Sequence, residues 1–217
     1  SFIDSRTIQV GDQIIHTKAT VIATGASTFV PPEWQALGDG VLTVESLFDL
    51  ETLPESIAVL GLGPIGIELG QALRRLGVRV VGIERSETIA RIADPAVNRA
   101  AIDIIKRDFP LWLGAEASVG RHNGGFLVKA GDQEVEVEQL LVAIGRRPNV
   151  DRLGLWRLGV ASDGQGMPRY NPLTMQIDGL PIYIAGDAAG GLGTLQQAAD
   201  QGRVAGYNAA RPFPAQF

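Results

Sequence analysis

The 217-residue chain combines 45% hydrophobic residues with a formal net charge of −5, which is enough apolar content for one large or two small soluble domains. It has no cysteine and only two histidines, so disulfides and thiolate metal sites are excluded and no metal site is expected. The net negative charge and the lack of a basic cluster argue against nucleic acid and anionic membranes as partners. The sequence has no run of 18 apolar residues that could span a membrane. The cytoplasm is the expected compartment.

Short strands alternate with turns at the start of the chain. Residues 7–10 and 14–17 are predicted to form a hairpin, and a third apolar run, 19–23, ends in Thr24-Gly25. The two prolines that follow interrupt regular structure, so residues 31–40 are predicted to form a linker.

The next apolar run leads into three spaced glycines. Residues 57–60 are short and β-branched, which is typical of a buried strand in a parallel sheet. Gly61 permits a tight turn, Gly63 allows close approach of a pyrophosphate, and Gly66 lets the following helix pack closely on the strand. Pro64 suits the first position of that helix, whose N–H groups and dipole favour phosphate. The alternative is a tight strand–helix turn that binds no ligand.

The helix after the glycines has an apolar stripe at helical spacing. The residues of the predicted stripe are Ile65, Leu69, Ala72, Leu73 and Leu76. Ile67 lies roughly opposite this stripe, so we expect it to contact another lobe or subunit instead of the core.

A second strand, predicted at 78–83, ends in Glu84, which lies about 20 residues past the glycine turn. A carboxylate there can accept both hydroxyls of an adenosine ribose, which favours NAD over NADP. Arg85 keeps NADP open, because an arginine at this place can bind a 2′-phosphate.

A helix is predicted from Asp94-Pro95, with Val97, Ala101, Ile104 and Ile105 on its apolar side. Residues 117–137 have the alternation and the Gly-rich turns of a β-meander, in which Glu134, Glu136 and Glu138 form a solvated face. A buried strand is then predicted at 140–144, ending in Gly145.

Four apolar runs end in glycine, at Gly25, Gly61, Gly145 and Gly186. Ligands of open α/β sheets lie beyond the carboxyl ends of such strands, so together these glycines favour ligand sites over simple turns. Asp187 follows the last of them and can bond sugar-like hydroxyls; the alternative is a turn or capping aspartate.

Taken together, these segments resemble the flavoprotein pyridine nucleotide-disulfide oxidoreductase family, and within it dihydrolipoamide dehydrogenase most closely. The resemblance covers nearly the whole chain. It rests on Ala23-Thr24-Gly25-Ala26 followed by Pro31-Pro32, on the glycine turn up to Glu68, on Gly145-Arg146-Arg147-Pro148-Asn149, and on Ile184-Ala185-Gly186-Asp187.

The glycine motif and the resemblance together assign NAD contacts to Gly61, Gly63, Pro64, Ile65, Gly66, Glu68, Glu84, Arg85 and Gly145. The resemblance further implies FAD contacts at Thr24, Gly25, Ala26, Gly186, Asp187, Gly193, Thr194, Leu195 and Gln196. It also implies that Glu68 lies beside the nicotinamide and that hydride passes between NAD(H) and flavin and then to a disulfide.

We therefore expect an α/β protein with a Rossmann-like NAD-binding domain, containing a parallel sheet and a β-meander, at 43–147. Two pieces of a partial FAD-binding lobe are expected at 1–42 and 148–217. The first FAD-binding unit, the CxxxxC redox pair and the dimerisation domain of such enzymes would lie outside this chain, so it is expected to be a central fragment that is inactive by itself. The complete protein is expected to be a homodimer.

Two alternatives remain at this stage. One is a flavoprotein that acts without a disulfide, such as a soluble transhydrogenase or an NADH oxidase. The other is a non-catalytic module that binds NAD(H). A small thioredoxin reductase is disfavoured, because its redox cysteines would precede the glycine turn, where this chain has none.

Overall fold

The computed structural model describes residues 1–163, 166–191 and 193–211. The chain divides into two compact units, which are described separately below. Unit 1 comprises residues 1–27 and 147–217, and unit 2 comprises residues 28–146. Parts of the predicted segment 148–217 therefore lie outside the described residues.

The strands in chain order are β1 (Phe2–Asp4), β2 (Thr7–Val10), β3 (Gln13–His16), β4 (Thr20–Ile22), β5 (Ala26–Thr28), β6 (Val41–Leu42), β7 (Ser56–Leu60), β8 (Arg79–Glu84), β9 (Leu111–Leu113), β10 (Ser118–His122), β11 (Gly125–Ala130), β12 (Gln133–Val137), β13 (Gln139–Val142), β14 (Arg146–Pro148), β15 (Tyr170–Asn171), β16 (Gln176–Ile177) and β17 (Ile182–Ile184). The α-helices are α1 (Pro32–Gln35), α2 (Val44–Leu47), α3 (Pro64–Arg75), α4 (Pro95–Ile105) and α5 (Leu195–Ala209). Short 3₁₀ helices lie at Asp151–Leu153, Leu155–Leu158 and Gly186–Ala189.

Unit 2 is built on a five-stranded parallel sheet with the order β6-β13-β7-β8-β9. The central strand β7 is buried along its whole length, as its continuous apolar run predicts. One face of the sheet packs against α3 and α4 through Val59, Leu73 and Phe109, and the other packs against the meander through Leu60, Phe126 and Val128. The predicted α/β fold with a parallel sheet is confirmed.

The predicted stripe of helix α3 is confirmed for Leu73, which is buried, and for Leu69, which packs against the core, but not for Ala72, which is exposed. The buried residues of the helix are Gly66, Ile67, Gly70 and Leu73. Leu76 is 68% exposed, and Ile67 belongs to the core, so the predictions for both residues are wrong. The physical reason is close packing: a Cβ on Gly70 would lie 2.9 Å from the ring of Phe109. Two of the four buried positions are glycines, which add nothing to the hydrophobic pattern, so the pattern locates the buried face only in part.

Helix α4 begins as predicted, since the Asp94 side chain accepts hydrogen bonds from Ala96 and Val97 N–H at 2.8 and 3.0 Å. The prediction that Ala101 and Ile105 lie on its apolar side is confirmed, since Ile105 is buried and Ala101 packs against the core, but Asn98 is buried on this helix as well. The prediction that Val97 and Ile104 lie on that face is wrong, because both side chains are more than half exposed.

The meander β10-β11-β12 is antiparallel, as predicted, with turns at Asn123-Gly124 and Gly131-Asp132. Glu134 and Glu136 are exposed on its solvent face. Glu134 pairs with Lys129 of the adjacent strand β11 at 3.0 Å, and Glu136 lies 3.2 Å from His122 Nε2 of β10. The predicted solvated face is therefore confirmed for Glu134 and Glu136. Glu138 is also exposed, but it follows the end of β12, and its carboxylate accepts a hydrogen bond from Glu55 N–H at 2.8 Å.

Unit 1 has a four-stranded sheet, β15-β16-β17-β4, in which β17 and β4 are parallel, and a separate three-stranded sheet, β1-β2-β3. Its core is formed by residues such as Phe2, Ile22, Met175 and Ile184, against which α5 packs through Ala205. The predicted hairpin is present as β2 and β3.

Residues 31–40 differ from the predicted linker. They contain α1, which begins with Pro32 at its first turn, and Trp34 packs against the core cluster beneath the meander. Unit 2 consequently begins at Thr28, earlier than the predicted boundary at 42/43.

Within the described ranges, no helix is long and apolar enough to cross a membrane, and no group of three or more acidic, histidine or cysteine side chains could hold a metal ion.

Candidate functional site

The glycine turn of unit 2 follows β7 at the carboxyl edge of the parallel sheet. Gly61 has φ +94°, and a Cβ there would lie 2.6 Å from the carbonyl oxygen of Ala143. A Cβ on Gly66 would lie 2.0 Å from the carbonyl oxygen of Gly61. Gly63, in contrast, has no atom within 4 Å of its would-be Cβ. There is therefore no room for a side chain at Gly61 or Gly66, whereas the space beside Gly63 is open.

Helix α3 begins at this opening without a side-chain cap. Gly63 is its N-cap residue and Pro64 occupies the first turn. Because the first N–H groups of a helix have no partner within the helix, they are available to an anion, which the helix dipole also attracts. Ile65 is half-buried and Glu68 is exposed. The side chain of Glu68 makes no hydrogen bond or ion pair within the part of the chain that the structure describes.

Glu84 ends β8 next to the turn. Its Oε2 accepts a hydrogen bond from Leu62 N–H at 2.8 Å, and its Oε1 accepts one from Ser86 N–H at 3.2 Å. The carboxylate is half-buried and its position at the turn is fixed by these bonds. Arg85 is exposed immediately beyond it.

The loop after Glu84 is tied back to the same turn. Ala90 has φ +51° and donates its N–H to the carbonyl of Leu62 at 2.7 Å. The carboxamide of Asn98 holds the middle of this loop, since it accepts from Ile89 N–H at 3.0 Å and donates to Glu87 C=O at 3.1 Å. Sequence reasoning missed Asn98, because a polar residue on the buried side of a helix breaks the apolar pattern.

Gly145 follows β13, the strand beside β7. It has φ +145° and open space around its would-be Cβ, and its carbonyl accepts from Phe29 N–H at 3.0 Å. Since β13, β7 and β8 are parallel neighbours, Gly145, the glycine turn and Glu84 all follow the same edge of the sheet.

A polar cluster in unit 2 links the end of β5 to the start of β14. Glu45, in α2, accepts from Thr28 Oγ1 at 2.9 Å and pairs with Arg146 at 3.0 Å. Burial raises the pKa of the Glu45 carboxyl, but hydrogen bonds from its own N–H, Thr43 and Thr28, together with the Arg146 charge, outweigh burial and lower that pKa.

In unit 1 the candidate residues also follow neighbouring parallel strands. β4 is followed by Thr24 and Gly25, and β17 is followed by Gly186 and Asp187. Both glycines have left-handed φ, +70° and +67°, so these turns suit glycine. The structure thus brings the two predicted segments to one edge of the same sheet.

Two carboxamide side chains hold these turns. Asn149 Nδ2 donates to Thr24 C=O at 3.0 Å, and Gln201 Oε1, on α5, accepts from Gly186 N–H at 2.9 Å. Neither residue was assigned this role from the sequence, because each contact joins distant positions in the chain.

The start of α5 contains the remaining FAD candidates. Thr194 is the N-cap residue, and its side chain accepts from Gln197 N–H at 3.2 Å. Leu195 is 88% exposed, and Gln196 is exposed as well. A Cβ on Gly193 would lie 3.8 Å from Asp187 Oδ1, so the beginning of α5 lies beside the predicted sugar-binding aspartate. Ala26, the last FAD candidate, begins β5 and is half-buried.

Comparison with known proteins agrees with this geometry. The profile of the family described as pyridine nucleotide-disulphide oxidoreductase matches residues 1–202. The chain belongs to this family. Membership confirms that the protein is related to flavin-dependent oxidoreductases and that the cofactors of the family are FAD and a pyridine nucleotide.

Similar members of the family include a mercuric reductase from Staphylococcus aureus, which is 35% identical over 216 residues, with 96% of this chain and 39% of the relative covered. A dihydrolipoyl dehydrogenase from Cupriavidus necator is 31% identical over 214 residues, with 92% and 44% covered. The chain thus spans less than half the length of these relatives.

The fold also matches that of a solved family structure. The HOCl-induced flavoprotein disulfide reductase RclA from Escherichia coli superposes with a TM-score of 0.88 at 24% identity, covering 100% of this chain and 50% of that one. At this identity the likeness concerns the fold alone, and it confirms the predicted α/β architecture of the dinucleotide-binding flavoproteins.

Proposed function

We propose that this chain provides the NAD(H) site and part of the FAD site of an oxidoreductase that passes hydride between NAD(H) and flavin and then to a disulfide, in the manner of a dihydrolipoamide dehydrogenase. The observation that carries the proposal is the position of Glu84, whose carboxylate is hydrogen-bonded to Leu62 N–H within the glycine turn. A glycine turn that opens a helix, with an acid held beside it, is the arrangement that binds a dinucleotide.

The residues of the turn fit a pyrophosphate. The space above Gly63 lets the phosphates approach the backbone, where a side chain would block them. The uncapped start of α3 offers N–H groups and the positive end of its dipole. The turn therefore binds and orients the nucleotide without a charged side chain.

Glu84 selects the cofactor. An ionised carboxylate has about four acceptor positions, of which Leu62 and Ser86 occupy two, so acceptor positions remain for the ribose hydroxyls. Its negative charge disfavours a 2′-phosphate, which supports NAD over NADP. Arg85, which is exposed, supports the competing cofactor, NADP, because an arginine can bind the 2′-phosphate.

On the flavin side, the role assigned to unit 1 is to hold the FAD through Thr24-Gly25, Gly186-Asp187 and the start of α5. FAD supplies the redox chemistry when it is bound, and the protein supplies orientation. Asp187 can accept hydrogen bonds from the polyol chain of the flavin. Glu68, exposed one turn into α3, is assigned to the nicotinamide end of the site.

The identity of the final acceptor is a separate question. A relative named mercuric reductase at 35% identity favours, as a second candidate, a flavoprotein whose acceptor is not a disulfide. We further propose that the complete protein is a homodimer, as the family resemblance implies, and that it lies in the cytoplasm, the compartment expected for a sequence without cysteine. Purified complete protein assayed with NADH and alternative acceptors distinguishes the candidates.

The NAD(H) assignment is tested by calorimetric titration of the chain with NADH and NADPH. We expect NADH to bind more tightly, and Glu84→Ala to weaken its binding by about 1–3 kcal/mol, the range for losing hydrogen bonds to a charged group. Glu84→Gln keeps an acceptor for Leu62 N–H but loses the charge, so its expected effect is a reduced preference for NADH.

The matched control is Glu116→Gln, since Glu116 is an exposed glutamate of unit 2 outside the turn. This variant should leave both affinities unchanged. Tighter binding of NADPH by the wild-type chain would refute the role of Glu84 and would point to Arg85 instead.

A further inference from the structure

One residue, Asn149, makes four hydrogen bonds to the Thr24-Gly25 turn of unit 1 and to Ser27 beside it. Asn149 donates its backbone N–H to Gly25 C=O at 2.9 Å, and its backbone C=O accepts from Thr24 Oγ1 at 2.8 Å. Its side chain adds two more bonds, from Nδ2 to Thr24 C=O at 3.0 Å and from Ser27 Oγ to Oδ1 at 2.9 Å. Every hydrogen-bonding group of Asn149 is thus directed at residues 24–27.

These bonds lie at the surface and not in the core. Thr24 and Ser27 are exposed, Gly25 and Asn149 are half-buried, and no atom lies within 4 Å of the would-be Cβ of Gly25. Exposed hydrogen bonds contribute little to the global stability of a unit, but they determine how often a loop opens locally. The arrangement therefore controls the shape of the turn more than the folding of unit 1.

We propose that Asn149 is a positioning residue that holds the Thr24-Gly25 turn in the conformation that contacts flavin. This inference depends on the proposed function, in which Thr24 and Gly25 are flavin contacts. A ligand that binds one conformation of a loop loses apparent affinity in proportion to the fraction of molecules in other conformations. Loosening the turn should accordingly weaken FAD binding without touching the NAD(H) site.

Asn149→Asp is the sharpest variant, because it is nearly isosteric. It keeps the two backbone bonds and the acceptor for Ser27 Oγ, but it replaces the Nδ2 donor by a carboxylate oxygen that faces Thr24 C=O. Asn171→Asp is the matched control: it lies in the same unit, keeps its own acceptor role toward Leu173 N–H, and introduces the same charge in an exposed turn.

The experiment measures amide hydrogen exchange of a peptide covering residues 23–27 in the complete protein stripped of bound flavin, together with the affinity of that protein for added FAD and for NADH. For Asn149→Asp we expect about three- to tenfold faster exchange in this peptide and a similar fold loss of FAD affinity, the range for one hydrogen bond. NADH affinity and exchange in β17 should stay unchanged. Asn171→Asp should match the wild type in every readout.

Unchanged exchange at 23–27 in Asn149→Asp overturns the proposal, and so does faster exchange with unchanged FAD affinity. Faster exchange throughout unit 1 would show a general structural role and would overturn it too. If the complete wild-type protein, stripped of bound flavin, shows no affinity for added FAD, the flavin assignment of Thr24 and Gly25 fails, and with it that part of the proposed function; the exchange comparison still decides whether Asn149 holds the turn.

Discussion

The turns at Gly61–Gly66 and at Thr24-Gly25 follow parallel strands in the same way, but they are held by different means. The first is closed by its own backbone, since the carbonyl of Gly61 lies where a Cβ on Gly66 would be. The second is held by Asn149, 125 residues away in the sequence. A turn built from local contacts leaves a recognisable spacing of glycines, whereas a turn held from a distance does not. Three sets of variants compare local packing at and after the first turn with a contact between residues that are far apart in the sequence.

The largest effect should come from Gly66→Ala. The added methyl would lie 2.0 Å from a backbone oxygen, which cannot move aside as a flexible side chain could. We expect unit 2 to lose about 4 kcal/mol of stability or more, above the usual range for overpacking, and NADH binding to be abolished. Thermal and urea unfolding measure the loss.

The control for this variant is Gly206→Ala on α5, where the would-be Cβ has no neighbour within 4 Å. This helical substitution should stabilise the chain by up to about 1 kcal/mol. Normal stability of Gly66→Ala would show that the strand and α3 are not packed as closely as described.

An intermediate effect is expected from the face of α3 that follows the turn. Ile67→Ala removes a buried side chain and should cost about 2–4 kcal/mol, whereas Leu76→Ala, on a residue that is 68% exposed, should change stability by less than about 0.5 kcal/mol. Denaturant unfolding of the two variants in parallel makes the measurement. Equal losses would contradict the assigned face of the helix.

The smallest effect should come from Glu45→Gln, which weakens the contacts of this side chain with Thr28 and Arg146, residues that are distant in the sequence. The folded-state pKa of Glu45 lies below its ordinary value of 4.5, so its ionised form stabilises the fold above that pH, and the contribution disappears as pH falls through the folded-state pKa. Wild type and variant should differ by less than about 1 kcal/mol at pH 7 and converge below pH 4.5.

Stability measured from pH 7 down to pH 3 decides the matter, with Glu51→Gln as a control on an exposed glutamate. A difference between wild type and Glu45→Gln that grows on acidification would have the wrong sign, and would show that Glu45 is not stabilised as the carboxylate by Thr28 and Arg146.

The sequence was sufficient for the parallel sheet, the meander and the glycine turn, because each depends on periodicity or on local turn chemistry. It was partly misleading for α3, where glycines occupy the closest approach to the sheet, so the apolar stripe was extended to Leu76, which is exposed, and left out Ile67, which is buried. It gave no sign of Asn98 or Asn149 as anchors of loops, because a carboxamide bonded to a distant backbone looks like any surface asparagine.

Leu62 lies at the centre of the glycine turn, and the peptide planes on both sides of it are fixed. Its N–H donates to Glu84 Oε2 at 2.8 Å, and its C=O accepts from Ala90 N–H at 2.7 Å. Neither plane can rotate without breaking a hydrogen bond, so the backbone that leads into Gly63 has one orientation before any ligand arrives. The conformational entropy of this segment is therefore lost on folding and not on binding, and a nucleotide should associate with it at a rate limited by encounter and not by loop rearrangement.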